Sequence, residues 1–173
     1  MPLPARSKRI LGAAVAALLM VALPASAQQA VIVVRHAEKA DQTPDTPLSA
    51  AGKTRAKALA DLLRAAGVTH IISSEYLRSR DTAAPLADAL GLKIEQIPAR
   101  DLAALSARLK ALDPAAIVLV VGHSNTVPPI LTTLGWPNKV DLGDGDYDNV
   151  FVLTPRPGQP ASMVRLKYGQ PSS

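Results

Sequence analysis

The chain contains no cysteine. That absence excludes disulfides, thiolate nucleophiles, cysteine-ligated metals and a lipid-modified amino-terminal cysteine. Aromatic residues are scarce, with one Phe, one Trp and three Tyr. Lys and Arg are scattered, without a basic run beyond the first residues. A nucleic-acid surface needs stacking faces and a positive stripe, so no nucleic-acid partner is expected. The three histidines, His36, His70 and His123, lack the spacing of a metal site, and neither a metal nor a cofactor is expected. The longest uncharged apolar run, Ile10–Leu23, is short for a membrane span, and the chain after it has none.

That run does fit a leader. Arg6, Lys8 and Arg9 make a basic start, and Ala25-Ser26-Ala27 is a small-residue cleavage site. Residues 1–27 read as a secretory signal peptide cut before Gln28, with an uncleaved anchor as the alternative. Residues 28–173 then form one domain, large enough for its own core. Three of the cations behind the net charge of +5 leave with the leader, so the mature chain sits near +2. A periplasmic or secreted location is expected, with no membrane span in the mature protein.

The mature chain alternates strand and helix signals. Val31–Arg35 is a β-branched strand. Ala37–Pro47 is a polar loop. Ser49 caps a helix that runs to about Ala66 and closes at Gly67, with Leu59, Leu62, Leu63 and Ala66 as its buried stripe. Thr69–Ser73 is a short strand. Glu75–Leu90 is a helix with a kink or break expected at Pro85, ended by Gly91. Leu92–Ile97 is a further strand. Asp101 caps a helix striped by Leu102, Leu105, Leu109 and Leu112. Ile117–Val121 is an apolar strand, followed by a helix from about Asn125 to Leu134. Gly135–Asn149 is a Gly- and Asp-rich loop, and Val150–Thr154 with Ser162–Tyr168 make a closing hairpin. The alternation predicts an α/β fold of three layers, α/β/α, with a mostly parallel sheet.

Two strands end at histidine: Arg35-His36-Ala37-Glu38 and Gly122-His123-Ser124. Residues just past the carboxyl ends of parallel strands face the crevice where such sheets bind ligands. Arg supplies a rigid fork for anionic oxygens, and neutral imidazole is a nucleophile at ordinary pH. A third segment, Ser73-Ser74-Glu75-Tyr76-Leu77-Arg78-Ser79-Arg80-Asp81-Thr82-Ala83, runs from a strand end into a helix. Helix amino termini favour anions. Arg78 lies in the first turn and reaches back over the sheet edge; Arg80 faces elsewhere and reads as a surface or ion-pair residue. These are the parts a phosphoryl-transfer site needs.

In this order, Arg-His-Ala-Glu, Leu48-Ser49-Ala50-Ala51-Gly52, Ser-Ser-x-x-x-Arg-x-x-x-Thr-Ala and Gly-His-Ser resemble the histidine phosphatase superfamily, also called phosphoglycerate mutase-like. The resemblance spans about residues 31–154. It implies that His36 is the nucleophile and forms a phosphohistidine, and that Arg35, Arg78 and His123 hold the phosphoryl oxygens. The second nitrogen of His36 needs an acceptor, such as a backbone carbonyl, to fix its tautomer. His123 is expected to act as a cation and the Ser124 N–H to assist at the phosphate.

The general acid is not legible. Asp101 has the best position, although a plain N-cap explains it at least as well. Glu38 either orients Arg35 or sits in its loop. Asp146 and Asp148 read as solvated loop acids. Without an acid, good leaving groups such as a phosphoramidate are favoured. His70, Asn125 and Thr126 have ordinary structural readings, and Trp136 either lines the crevice or packs. The short interval between Arg78 and His123 leaves no room for a large lid, which favours an open site over a mutase that shelters its intermediate from water. The expected function is an exported, metal-independent phosphatase for a small phosphorylated substrate. The alternative is a non-catalytic anion-binding module of the cell envelope.

Overall fold

The computed structural model describes residues 30–156 and 158–172. The leader and its cleavage site lie outside the described residues. The elements follow in the order β1 (Ala30–Arg35), α1 (Ala50–Leu63), β2 (His70–Ser73), α2 (Leu77–Leu90), β3 (Ile94–Gln96), α3 (Leu102–Lys110), β4 (Ile117–Gly122), α4 (Val127–Thr133), β5 (Asn149–Arg156) and β6 (Gln159–Lys167). The six strands form one sheet in the order β3-β2-β4-β1-β5-β6. The first four of these run parallel, while β5 and β6 return antiparallel.

Strand side chains alternate between faces, and each face has its own core. Val31 and Val33 of β1 join Val118 and Val120 of β4 beneath α3 and α4, which contribute Leu105, Leu109, Ile130 and Leu131. Ile32 and Val34 join Leu119 and Val121 beneath α1 and α2, which contribute Leu59, Leu63, Ala83 and Leu86. Burying each such aliphatic side chain stabilises the fold by about 1.5–3 kcal/mol before entropy is counted. This is the expected three-layer α/β/α sandwich.

Local chemistry sets the element ends. Ser49 Oγ accepts from Gly52 N–H at 3.0 Å and caps α1. Gly52 has to be glycine, because a Cβ there would stand 2.3 Å from the Glu38 carbonyl oxygen. Gly91 ends α2 with φ +65°. Pro85 lies inside α2 and does not end it; Ala83, Leu86 and Ala87 on either side are packed into the core.

Three expectations change. Leu62 is not in the α1 stripe but 45% exposed; the stripe runs through Gly52, Arg55, Ala56, Leu59, Ala60 and Leu63. The strand expected over Leu92–Ile97 shrinks to β3, three residues on the sheet edge. The α1 helix stops at Leu63, and the chain turns from there to Gly67.

Candidate active site

β1 and β4 are neighbours, with Arg35 level with Gly122. Both histidine segments therefore leave the sheet at one edge. The His36 N–H donates to the Gly122 carbonyl at 2.8 Å, and the two imidazole rings meet edge to face with centroids 5.0 Å apart. Gly122 permits this turn, since a Cβ there would come within 2.9 Å of Thr126 Oγ1. That hydroxyl in turn accepts from His123 N–H at 2.8 Å.

His36 is 3% exposed. Its Nδ1 lies 2.7 Å from the Ala37 carbonyl oxygen. A carbonyl only accepts, so Nδ1 carries the proton and Nε2 keeps a lone pair. Burial first, then the positive field of His123, Arg35 and Arg78, pushes the His36 pKa down to about 3, against the smaller opposing effect of the Ala37 bond. The ring is neutral at ordinary pH.

His123 is also buried, and its tautomer follows from its neighbours. The Ser74 hydroxyl gives its hydrogen to Ser79 Oγ at 2.8 Å. Ser74 Oγ therefore accepts from His123 Nε2–H, 2.8 Å away. Arg78 Nη2, which can only donate, lies 3.4 Å from His123 Nδ1. Burial and the Arg78 charge hold the His123 pKa down to about 4. His123 is therefore neutral in this arrangement and the positive charge sits on the two arginines, because Arg78 takes the position a second proton would need.

The arginines are held by backbone carbonyls and aromatic faces. Arg35 Nη1 donates to the Gly143 carbonyl at 2.7 Å, and its guanidinium lies 4.1 Å from the Tyr147 ring centre. Arg78 Nη1 donates to the Pro44 carbonyl at 2.8 Å and its guanidinium lies 4.3 Å from the Tyr76 ring centre. Among the described residues Arg78 has no carboxylate within ion-pair distance. The Nε–H groups of both arginines are enclosed and lack an acceptor. Unsatisfied buried donors are costly, and two of them beside two neutral histidines make a site that an anion completes.

The start of α2 differs from expectation. Its first N–H, that of Leu77, is already taken by Asp45 Oδ1 at 2.7 Å. The loop after β1 thus supplies its own anion there. Arg80 enters none of the contacts around His36 and His123, and its Nε is likewise enclosed without an acceptor. His70 sits at the opposite end of β2, bonded through Nδ1 to Thr69 Oγ1 at 2.9 Å.

The candidate acids scatter. Asp101 caps α3 through Ala104 N–H at 2.8 Å. Glu38 does not orient Arg35; it binds the buried Arg55, with Oε1 2.8 Å from Nε and 2.7 Å from Nη2. Asp146 Oδ2 accepts from Gly143 N–H at 2.8 Å inside its own loop. Asp148 is not solvated but 5% exposed, held by Lys167 Nζ at 2.6 Å and Ser172 N–H at 3.1 Å. Glu75, whose charge acts on His123, accepts from Ala99 N–H at 2.8 Å. Asp144, which the sequence did not single out, touches the cluster through Ser124 and Arg35. Its Oδ1 accepts from Ser124 Oγ at 3.1 Å and lies 3.8 Å from Arg35 Nη2.

Tyr76, Tyr147 and Arg100 are further residues that the sequence reading missed. A cavity of about 110 Å³ beside His123 is lined by Tyr76, Arg78, Arg100 and Asn125 among others, so Asn125 is a mouth residue as well as part of the turn before α4. Tyr76 lay inside the Ser-Ser motif; Tyr147 and Arg100 sit in loops with no periodic or motif signal. Trp136 packs against the α3/α4 core.

The family model of the histidine phosphatase superfamily (branch 1) matches residues 31–101, the stretch that carries Arg35, His36 and Arg78. The "Probable phosphoglycerate mutase GpmB" of Yersinia enterocolitica is 39% identical over 75 residues, 39% of this chain and 35% of that protein. The match thus spans about a third of that curated relative's length. The protein histidine phosphatase SixA, solved with tungstate, shares the fold with a TM-score of 0.66 at 22% identity, over 80% of this chain and 96% of that one. A mycobacterial glucosyl-3-phosphoglycerate phosphatase, solved with inorganic phosphate, does so with a TM-score of 0.59 at 18% identity, over 82% of this chain and 97% of that one. His123 lies beyond the matched stretch and reaches the same pocket through the β1–β4 pairing. The chain is thus similar to the histidine phosphatase superfamily over residues 31–101, and it shares the fold of these phosphatases over most of its length.

Proposed function

We propose that this chain is an exported, metal-independent phosphatase that hydrolyses a small phosphomonoester, or a related phosphorylated compound, through a phosphohistidine on His36. The observation that carries the reading is the pairing of a neutral, tautomer-fixed His36 with two arginines whose buried Nε–H groups lack acceptors. His36 Nε2 attacks phosphorus while Arg35 and Arg78 hold the non-bridging oxygens. A phosphoryl dianion beside His123 favours protonation of Nδ1, so the cation expected at this position forms with the ligand. The interval from Arg78 to His123 is filled by the rest of α2, β3, α3 and β4, which supports an open site and a hydrolase over a mutase. Export rests on the basic start, apolar run and Ala25-Ser26-Ala27 of the leader.

The test is turnover of an activated aryl phosphate by residues 28–173, with and without His36→Ala. Loss of turnover in the variant and acid-labile, base-stable phosphate on His36 support the reading. Equal rates in the two proteins would overturn it. Phosphate binding without turnover would leave the anion-binding module in its place. Export is checked by the amino terminus of the protein recovered from outside the cytoplasm, expected at Gln28.

A further inference from the structure

We propose that Asp144 is the general acid–base of this site. The inference rests on the phosphatase reading and supplies the group that the sequence does not reveal. The nucleophile His36 is 3% exposed and forms the pocket floor. In-line displacement puts the leaving oxygen opposite the nucleophile, toward the mouth. The Asp144 side chain is 97% exposed, yet its Oδ1 touches Ser124 Oγ and lies 3.8 Å from Arg35 Nη2. It therefore stands where the pocket meets solvent. The residues on either side of it are held. The Gly143 carbonyl accepts from Arg35, Asp146 ties back to Gly143 N–H, and the Tyr147 ring lies over the Arg35 guanidinium. Asp101, Glu38, Glu75, Asp146 and Asp148 each hold a separate structural partner.

In the first step the His36 Nε2 lone pair forms the N–P bond. The P–O bond to the leaving group breaks, and the Asp144 proton passes to the departing oxygen. In the second step the Asp144 carboxylate takes a proton from water. The water oxygen bonds to phosphorus, and the N–P electron pair returns to His36. The sum is substrate plus water giving alcohol plus phosphate.

The test compares Asp144→Asn with wild type on an alkyl phosphate and on an aryl phosphate with a stable phenolate. The first step is read as the initial burst of released alcohol or phenol. A general acid matters most for the poor leaving group. The burst rate is expected to fall about 10²–10³-fold on the alkyl ester and less than about fivefold on the aryl ester. Asp144→Glu should recover part of the alkyl rate. Equal losses on both substrates would mean a structural role and overturn the assignment. Unchanged rates, or a lowered KM, would mean that Asp144 only occupies the anion pocket and would also overturn it. A wild-type protein that turns over neither ester and forms no phosphohistidine would overturn the phosphatase reading itself.

Discussion

The Thr82 hydroxyl joins the two halves of the site: it accepts from Ala37 N–H at 2.9 Å and donates to the Arg78 carbonyl at 2.7 Å. Ala37 follows His36 and is fully buried. Thr82→Val keeps the shape but leaves the Ala37 N–H without a partner. Its expected cost is about 1–3 kcal/mol of stability, together with a fall in aryl phosphate turnover as the His36 turn loosens. Urea melts and kcat, measured on the same protein, check both.

Arg78 and Arg80 are two residues apart on α2 yet differ in role. Arg78→Ala should weaken inorganic phosphate binding at least about tenfold, the loss of one charge-assisted contact. Arg80→Ala should change it less than about twofold. Titration calorimetry with phosphate reads both, and similar losses would mean that the wrong arginine has been assigned.

Glu38 is assigned to the frame of the fold. Its partner Arg55 is 5% exposed and also donates to the Tyr168 carbonyl at 3.0 Å. Removing the carboxylate in Glu38→Ala strands a buried cation at a cost of roughly 2–3 kcal/mol, reduced from the full buried-pair penalty because Glu38 is itself partly exposed. Below the lowered melting temperature, kcat should stay near the wild-type value. A thousandfold loss of kcat in a folded variant would return Glu38 to the chemistry.

Acid should destabilise the protein through its two histidines. Both have native pKa values below the ordinary 6.5, at about 3 for His36 and about 4 for His123. Between pH 6.5 and 4 the unfolded chain binds protons that the native state refuses. The stability they contribute is complete above about pH 6.5 and is lost as pH falls, by up to about 1.4 kcal/mol per pH unit for each histidine. Urea melts from pH 7.5 to 4.5 measure the slope, and His123→Gln should lessen it. A flat profile would mean that both rings titrate normally in the native state.

The pocket floor was legible because its residues follow continuous apolar strands. Val31–Val34 and Ile117–Val121 can only be buried strands, and a sheet that pairs them in parallel carries Arg35, His36 and His123 to one edge. Ser49, Gly91 and Asp101 were readable from capping chemistry alone. The mouth was not legible. Asp45 reaches Leu77 and Gly143 reaches Arg35 across long separations, and no local pattern announces either contact. The tautomer of His123 was not legible either, since it depends on where Arg78 and Ser74 point. Leu62 fitted the helical spacing, but its side chain lies on the exposed side of α1, next to the buried Leu63.

The hold of the 143–147 loop on Arg35 has a mechanical consequence. Ser172 Oγ accepts from both Tyr147 N–H and Asp148 N–H, so this loop is braced from the far end of the domain while it grips an arginine at the strand end. Surface loops usually diversify freely because the scaffold beneath them does not depend on their composition. Here a change that reshapes the loop also shifts Arg35. The conformation of the rim and the aim of the Arg35 guanidinium are therefore mechanically one variable.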